Sequence, residues 1–339
     1  MSAPLSIPSP SWDGFEIPLG FATLNIHAYA LCILAGIIVA TIWTSRRLTK
    51  RGAEPGIVLD IALWAVPLGI VGARLYHVFT HPSDYFYEGA NIWNPFQPGS
   101  IWAIWEGGGA IFGALIGGAI GVLIACRITG IRFLSFADAL APGLLAAQAL
   151  GRLGNWFNHE LFGQPTTMPW GLEIESTNPA WPAGLPEGTL FQPTFLYEML
   201  WNILGIIVLV AFLERRFNMR WGKAFGFYLV WYGLGRWPLE TIRLDPSEIF
   251  LGVRVNVWAA WAAILLGLII ILVQNRRHVG AELTPYSPGR EWNAPLDSDE
   301  YADDAEVDSQ GTDEIEPGDD ASVIDSSDAG ATSTTGSRA

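Results

Sequence analysis

The chain has 339 residues, half of them hydrophobic, with 37 glycines, 16 tryptophans and a formal charge of −14. From Val279 onward, 16 acidic residues stand against only Arg290 and Arg338, so the first 278 residues balance at 17 acids and 17 bases. Such a division excludes a uniform soluble globule and argues against nucleic-acid binding, and two cysteines inside apolar runs, Cys32 and Cys126, exclude a disulfide framework.

In chain order, residues 1–21 read as an extracytoplasmic N-terminal segment. No Lys or Arg precedes the first apolar run, so a cleavable signal peptide is not expected. Seven runs have the length and apolarity of membrane helices, near 22–44, 57–79, 107–126, 134–156, 194–213, 222–240 and 255–274. The third, "GGGAIFGALIGGAIGVLIAC", repeats small residues at spacings that let helix backbones approach closely in lipid. The expected fold is therefore an all-α integral membrane protein with a seven-helix domain over 22–278. Two long loops, at about 80–106 and 164–193, would form a small extracytoplasmic head, with a short strand pair around "WGLEI". Residues 279–339 read as a disordered acidic cytoplasmic tail, because so polar a segment buries too little apolar surface to offset its ordering entropy.

Orientation follows from the bases. "SRRLTKR", the Arg127–Arg132 loop, "ERRFNMRWGK" and "QNRRH" occupy alternate loops and hold 12 of the 19 Lys and Arg residues. The positive-inside rule then puts the N-terminus outside and the C-terminus in the cytoplasm. Apart from Arg290 and Arg338 of the tail, five arginines remain, all in the outer half: Arg74, Arg152, Arg236, Arg243 and Arg254. A charge within a span costs several kcal/mol, so such residues face the bundle interior and carry a function or a partner.

Tyr232, Arg236, Glu240 and Arg243 fall on one helix stripe, with Glu240 placed to bridge the two arginines. Arg152, Asn155 and His159 share a face in "GRLGNWFNHELFG", and Gly151, Gly154 and Gly163 permit close approach and a sharp exit from the bilayer. Arginine forks beside amide donors suit an oxyanion, phosphate above all. At this depth the simplest such anion is a phospholipid head group.

At these residues the chain resembles the bacterial prolipoprotein diacylglyceryl transferase family. "GRLGNWFNHELFG" is similar to its signature, Gly-Arg-x-Gly-Asn-Phe-x-Asn-x-Glu-x-x-Gly, with Trp156 at the aromatic position. "YGLGRWPLETIR" matches a late family segment, and "GARLYHV", "FADALAPG", "QPTFLYE" and Tyr29 in "IHAYAL" follow in the family's order, so the resemblance covers roughly 20–275. It implies transfer of the diacylglyceryl group from phosphatidylglycerol to the lipobox cysteine of a preprolipoprotein, forming a thioether and releasing glycerol 1-phosphate. It also implies the bacterial cytoplasmic membrane, a site toward the outer leaflet, and no cofactor. By position, Arg152, Arg236 and Tyr29 would be catalytic. Arg152, Asn155, Glu160, Gly163, Tyr232, Glu240, Arg243 and Arg74 would bind phosphatidylglycerol. The chain departs from the family at Phe112, where a histidine in a His-Gly-Gly-Leu segment is common, and at Gln192, where a His-Pro pair is common. The group that deprotonates the thiol is thus open among His159, Glu160, Tyr29 and the lipid phosphate.

Two other readings compete. A non-enzymatic phospholipid or anion transporter would use the arginines as waypoints but would want internal repeats, and none is apparent. A scaffold whose tail recruits a partner of unknown identity leaves the arginines unexplained. His77 and His81 lack a third ligand, so no metal site is expected.

Overall fold

The computed structural model describes residues 6–18, 23–87, 93–94, 99–103, 108–245, 247–278 and 280–293. By contacts the chain forms two units, Met1–Ala294 and Pro295–Ala339, and the second lies outside the described residues. The expected disorder of the distal tail falls there, as do parts of the 80–106 loop.

A hairpin opens the described chain, β1 (Gly14–Pro18) pairing antiparallel with β2 (Thr23–His27). The first membrane helix, α1 (Ala28–Thr49), therefore starts six residues later than the hydropathy suggests and runs five further. In residues 23–27 Leu24 and Ile26 alternate with polar residues, a strand period that a run-length reading does not separate from the helix that follows. There follow α2 (Ile57–Thr80), α3 (Ile111–Thr129), α4 (Phe133–Phe157), α5 (Thr194–Arg216, with a π-helical turn at Ile207–Leu213), α6 (Lys223–Ile242) and α7 (Val255–Arg277).

Six of these helices, all but α6, are long and apolar enough to cross a membrane. Helix α6 carries Lys223, Arg236 and Glu240, which lower its hydropathy. The helix surfaces are apolar outward: Leu63 is 73 % and Phe79 86 % exposed, the reverse of a water-soluble bundle.

Three helix pairs, α1 with α4, α2 with α3 and α6 with α7, pack antiparallel. In α2 and α3 the backbones approach closely: a Cβ on Gly72 would lie 3.0 Å from Gly117 Cα and also strike the Gly113 carbonyl. Helices α1 and α4 meet similarly at Gly143, where a Cβ would stand 3.1 Å from Ala40 Cα. Asp138 of α4 is fully buried and accepts from the free N–H groups of Gly222 (2.6 Å) and Phe225 (2.9 Å), capping the start of α6.

The 164–193 loop forms a head of three short strands, β3 (Pro165–Thr166), β4 (Leu172–Glu173) and β5 (Leu190–Phe191), in the order β3-β5-β4. It shares one core with the helix ends, in which Phe162, Leu172, Phe191 and Phe195 are buried. At the other end of the bundle the proximal tail is ordered, contrary to the expected boundary at 279. Ile131 pairs with Tyr286, which is 2 % exposed among Leu48, Ile57 and Phe136, and Arg132 pairs with Glu282 at 3.0 Å. One tyrosine and one compensated carboxylate tie down a segment whose overall composition is acidic.

Candidate functional site

Four helices bring polar side chains to one end of the bundle. Tyr29 opens α1, Arg152 and Asn155 close α4, Glu198 stands in the second turn of α5, and Tyr232 and Arg236 lie late in α6. All six line one cavity of about 420 Å³, whose other walls include Ile33, Leu144 and Trp201. The apolar walls and the polar floor are the two halves of a phospholipid's own chemistry.

Sequence spacing placed Arg152 and Arg236 at a common depth; the fold makes them share a carboxylate. Glu198 receives Arg152 Nε at 2.6 Å on Oε2 and Arg236 Nη1 at 3.3 Å on Oε1. Arg152 Nη1 donates to Asn155 Oδ1 (3.0 Å), and Asn155 Nδ2 donates in turn to Glu160 Oε1 (2.8 Å). Arg152 Nη2 makes no hydrogen bond among the described residues. The cavity wall thus carries two guanidinium groups and one carboxylate, a net charge of +1, in a setting where Arg236 is only 10 % exposed.

Behind Arg236, Glu240 is fully buried. Arg236 Nη2 lies 2.8 Å from its Oε2 and Arg254 Nε 3.0 Å from its Oε1, ion pairs whose angles fall short of hydrogen bonds, while Asn256 Nδ2 donates at 2.9 Å. Arg243 Nη1 is farther, at 3.8 Å, because its Nε is taken by Asp245 at 2.7 Å. The expected bridge of Arg236 and Arg243 by Glu240 is present, and Arg254 joins it more closely than Arg243 does.

The exit from α4 is built by two left-handed residues, His159 (φ 50°) and Leu161 (φ 59°). They turn the chain so that Gly163 pairs with Arg243, its N–H donating to Gln192 O at 2.9 Å. A side chain at Gly163 would meet Gln192 Cβ at 2.7 Å. Glu160, Gly163, Glu240 and Arg243 therefore stand behind the cavity and shape it without lining it.

Three further residues stand away from the cavity, and of these only Arg74 was expected at the head group. Arg74 does not line the cavity: its guanidinium donates to the carbonyls of Ser100 (2.7 Å), Ile101 (2.9 Å) and Gly108 (3.2 Å) and lies over the Tyr85 ring, so it fastens the loop before α3. His159 is a clamp, its Nδ1 2.9 Å from Glu175 and its Nε2 2.9 Å from Pro10 O. Phe112, at the family's histidine position, packs on Tyr76 with ring centroids 6.2 Å apart. Glu198 was missed. Its signal was available, since an acid near the end of an apolar run costs as much as an arginine and needs the same explanation.

Comparison with known proteins gives the same direction. Residues 17–273 match the family model described as prolipoprotein diacylglyceryl transferase. A phosphatidylglycerol–prolipoprotein diacylglyceryl transferase of Leifsonia xyli subsp. xyli is 67 % identical over 86 % of this chain and 87 % of its own length. One from Paenarthrobacter aurescens is 47 % identical over 80 % and 84 %, and the Streptomyces coelicolor protein named phosphatidylglycerol–prolipoprotein diacylglyceryl transferase 2 is 43 % identical over 81 % and 83 %.

Proposed function

The chain belongs to the prolipoprotein diacylglyceryl transferase family, enzymes that move the diacylglyceryl group of phosphatidylglycerol onto a prolipoprotein, and we propose that the Arg152–Glu198–Arg236 cavity is where it does so. The observation that carries this reading is the convergence of two span-borne arginines, from α4 and α6, on one apolar-walled cavity with net positive charge. A phosphodiester headgroup brings one negative charge shared by two non-bridging oxygens, a pair that the guanidinium fork can meet with two parallel N–H groups.

The reaction follows from that placement. The lipobox cysteine thiolate attacks the glyceryl carbon, a C–S bond forms, and the C–O bond to phosphate breaks. The electron pair leaves with glycerol 1-phosphate, whose new oxygen charge grows next to Arg152 and Arg236. Donors already aimed at that oxygen need not reorganise as charge develops, which is the larger part of the expected rate gain. The thiol proton ends on the departing phosphomonoester, whose second ionisation lies near neutrality. That route requires no histidine, consistent with Phe112 and with His159 being engaged elsewhere. Tyr29 and Tyr232 line the cavity with hydroxyls able to orient lipid or thiol. Glu160, Gly163, Glu240 and Arg243 hold the first arginines in place.

In this reading α6 also crosses the membrane and brings the spans to seven, its charges turned inward on α4, α5 and α7. The N-terminus lies outside a bacterial cytoplasmic membrane, the head and cavity face the outer leaflet, and the chain beyond residue 293 is cytoplasmic. The membrane domain is extended to residue 293 by the packing of Tyr286.

The test is transfer to a lipobox peptide by purified protein in phosphatidylglycerol micelles, read as the mass of one added diacylglyceryl group. Arg152→Ala and Arg236→Ala are each expected to lower the rate about 10²- to 10³-fold, the usual effect of deleting one charge-stabilising donor. Wild-type rates in both variants, with the fold intact, would sink the assignment of this cavity.

A further inference from the structure

The bundle carries a second basic cavity at the end opposite the first. Arg47 lies 18 residues beyond Tyr29 on α1, about 27 Å along the helix. It lines a cavity of about 460 Å³ together with Lys50, Arg51, Arg220, Glu214 and Glu282, and Phe217 and Met219 are also in its wall. Four bases face two carboxylates, and both carboxylates are already committed: Glu214 to Arg47 at 3.0 Å, and Glu282 to Arg132 at 3.0 Å.

Among the described residues no ion pair engages Lys50, Arg51 or Arg220. Arg51 is held only by the Ser135 carbonyl at 3.3 Å. Burial together with the neighbouring charges of Arg220 and Arg47 pushes Arg51 down to about 10, against a raising influence of Asp138 and Glu282. A half-buried guanidinium whose nearest uncommitted neighbours are also cationic is short of negative charge. One of its donors goes to a backbone carbonyl, and the residue lines the cavity.

We propose that this cavity, formed by Lys50, Arg51 and Arg220 with Arg47, is a second anion site that takes the phosphate of an anionic lipid head group in the leaflet opposite the transferase cavity. Basic pockets between helix ends at a membrane surface suit such head groups, and Phe217 and Met219 provide the apolar edge that an acyl-bearing ligand needs. The proposal rests on the membrane reading of the helices and not on the transferase reading. A soluble phosphate ester would offer the same phosphate without the acyl chains.

The experiment uses the full chain in neutral detergent with Arg152→Ala and Arg236→Ala already present, so that the first cavity is silent. Native mass spectrometry counts bound dioleoyl phosphatidate against dioleoyl phosphatidylcholine. Lys50→Gln with Arg220→Gln, whose side chains make no hydrogen bond among the described residues, is expected to lower phosphatidate retention about 30-fold, the usual effect of two basic residues near an anionic lipid. Arg51→Gln is expected to act in the same direction. In the otherwise wild-type chain, Lys50→Gln with Arg220→Gln is expected to keep lipobox transfer within about twofold, which controls for folding. Displacement of phosphatidate by millimolar inorganic phosphate, with the same dependence on Lys50 and Arg220, would support the site and identify a soluble phosphate as its source. Phosphatidate and phosphate retention unchanged by all three substitutions would overturn it.

Discussion

Glu198 is the residue on which the geometry of the cavity turns. A carboxylate between two arginines costs the site one positive charge, so its presence needs a compensating gain. On the proposed reading that gain is rigidity: each guanidinium is fixed by an ion pair with Glu198, so neither would need to reorganise as a leaving phosphate gained charge. Glu198→Gln keeps the shape and raises the local net charge from +1 to +2. The expected outcome is a kcat lower by about 10- to 100-fold, with KM for phosphatidylglycerol equal or lower, since ground-state attraction to an anion increases. A raised KM with unchanged kcat would show that Glu198 contacts substrate rather than positioning the arginines. Arg74 illustrates the opposite case. Its charge lies in the same half of the bundle, yet it is satisfied by loop carbonyls and contributes to architecture.

At the scale of elements, the helices are held by backbone proximity more than by side-chain interlock. Lipid removes the hydrophobic drive between helices, so close packing of small residues carries association. Helix α3 shows this residue by residue. A Cβ on Gly117 would strike the Leu68 carbonyl and stand 3.0 Å from Leu68 C, whereas one on Gly118 would meet nothing nearer than Ala65 O at 3.8 Å. Gly117→Ala is therefore expected to destabilise by about 1–3 kcal/mol through overpacking. Gly118→Ala should be neutral or stabilising by up to about 1 kcal/mol, because alanine favours helix. Thermal unfolding in detergent separates the pair, and equal Tm values for both would refute the packing account. The π-helical turn in α5 lies well beyond Glu198 along the helix, and we have no physical account of it.

At the scale of the molecule, the chain divides by chemistry into a bundle that extends to about residue 293 and an acidic remainder. Tyr286 is the fastening point: its ring is buried in the core at the end of α1, α2 and α4, and its hydroxyl accepts from Glu54 N–H at 3.1 Å. Tyr286→Ala should cost about 3 kcal/mol and lower Tm, while deletion of residues 295–339 should leave Tm and transfer rate unchanged. A Tm that falls equally in both would place the fold's boundary farther along the chain.

The amino-acid sequence by itself determined the membrane class, the largely helical architecture and five polar residues of the cavity wall, Tyr29, Arg152, Asn155, Tyr232 and Arg236. Those properties follow from one-dimensional quantities: run length, the 3.6-residue stripe of "YGLGRWPLETIR", and the cost of an arginine within a span. It misplaced the start of α1, because "TLNIH", with Leu24 and Ile26 alternating with polar residues, adjoins the apolar run but pairs as a strand, and it ended the folded body at 279, because an average over an acidic segment conceals one anchoring tyrosine. Only the tertiary structure decided which arginine faces which carboxylate. Glu198 and Arg236 are 38 residues apart and on different helices, and Arg74 and Arg152 share a half of the bundle without sharing a cavity. Helix rotation and crossing set those partners, and both depend on how small residues let backbones meet, a three-dimensional fit that spacing along a single chain does not encode.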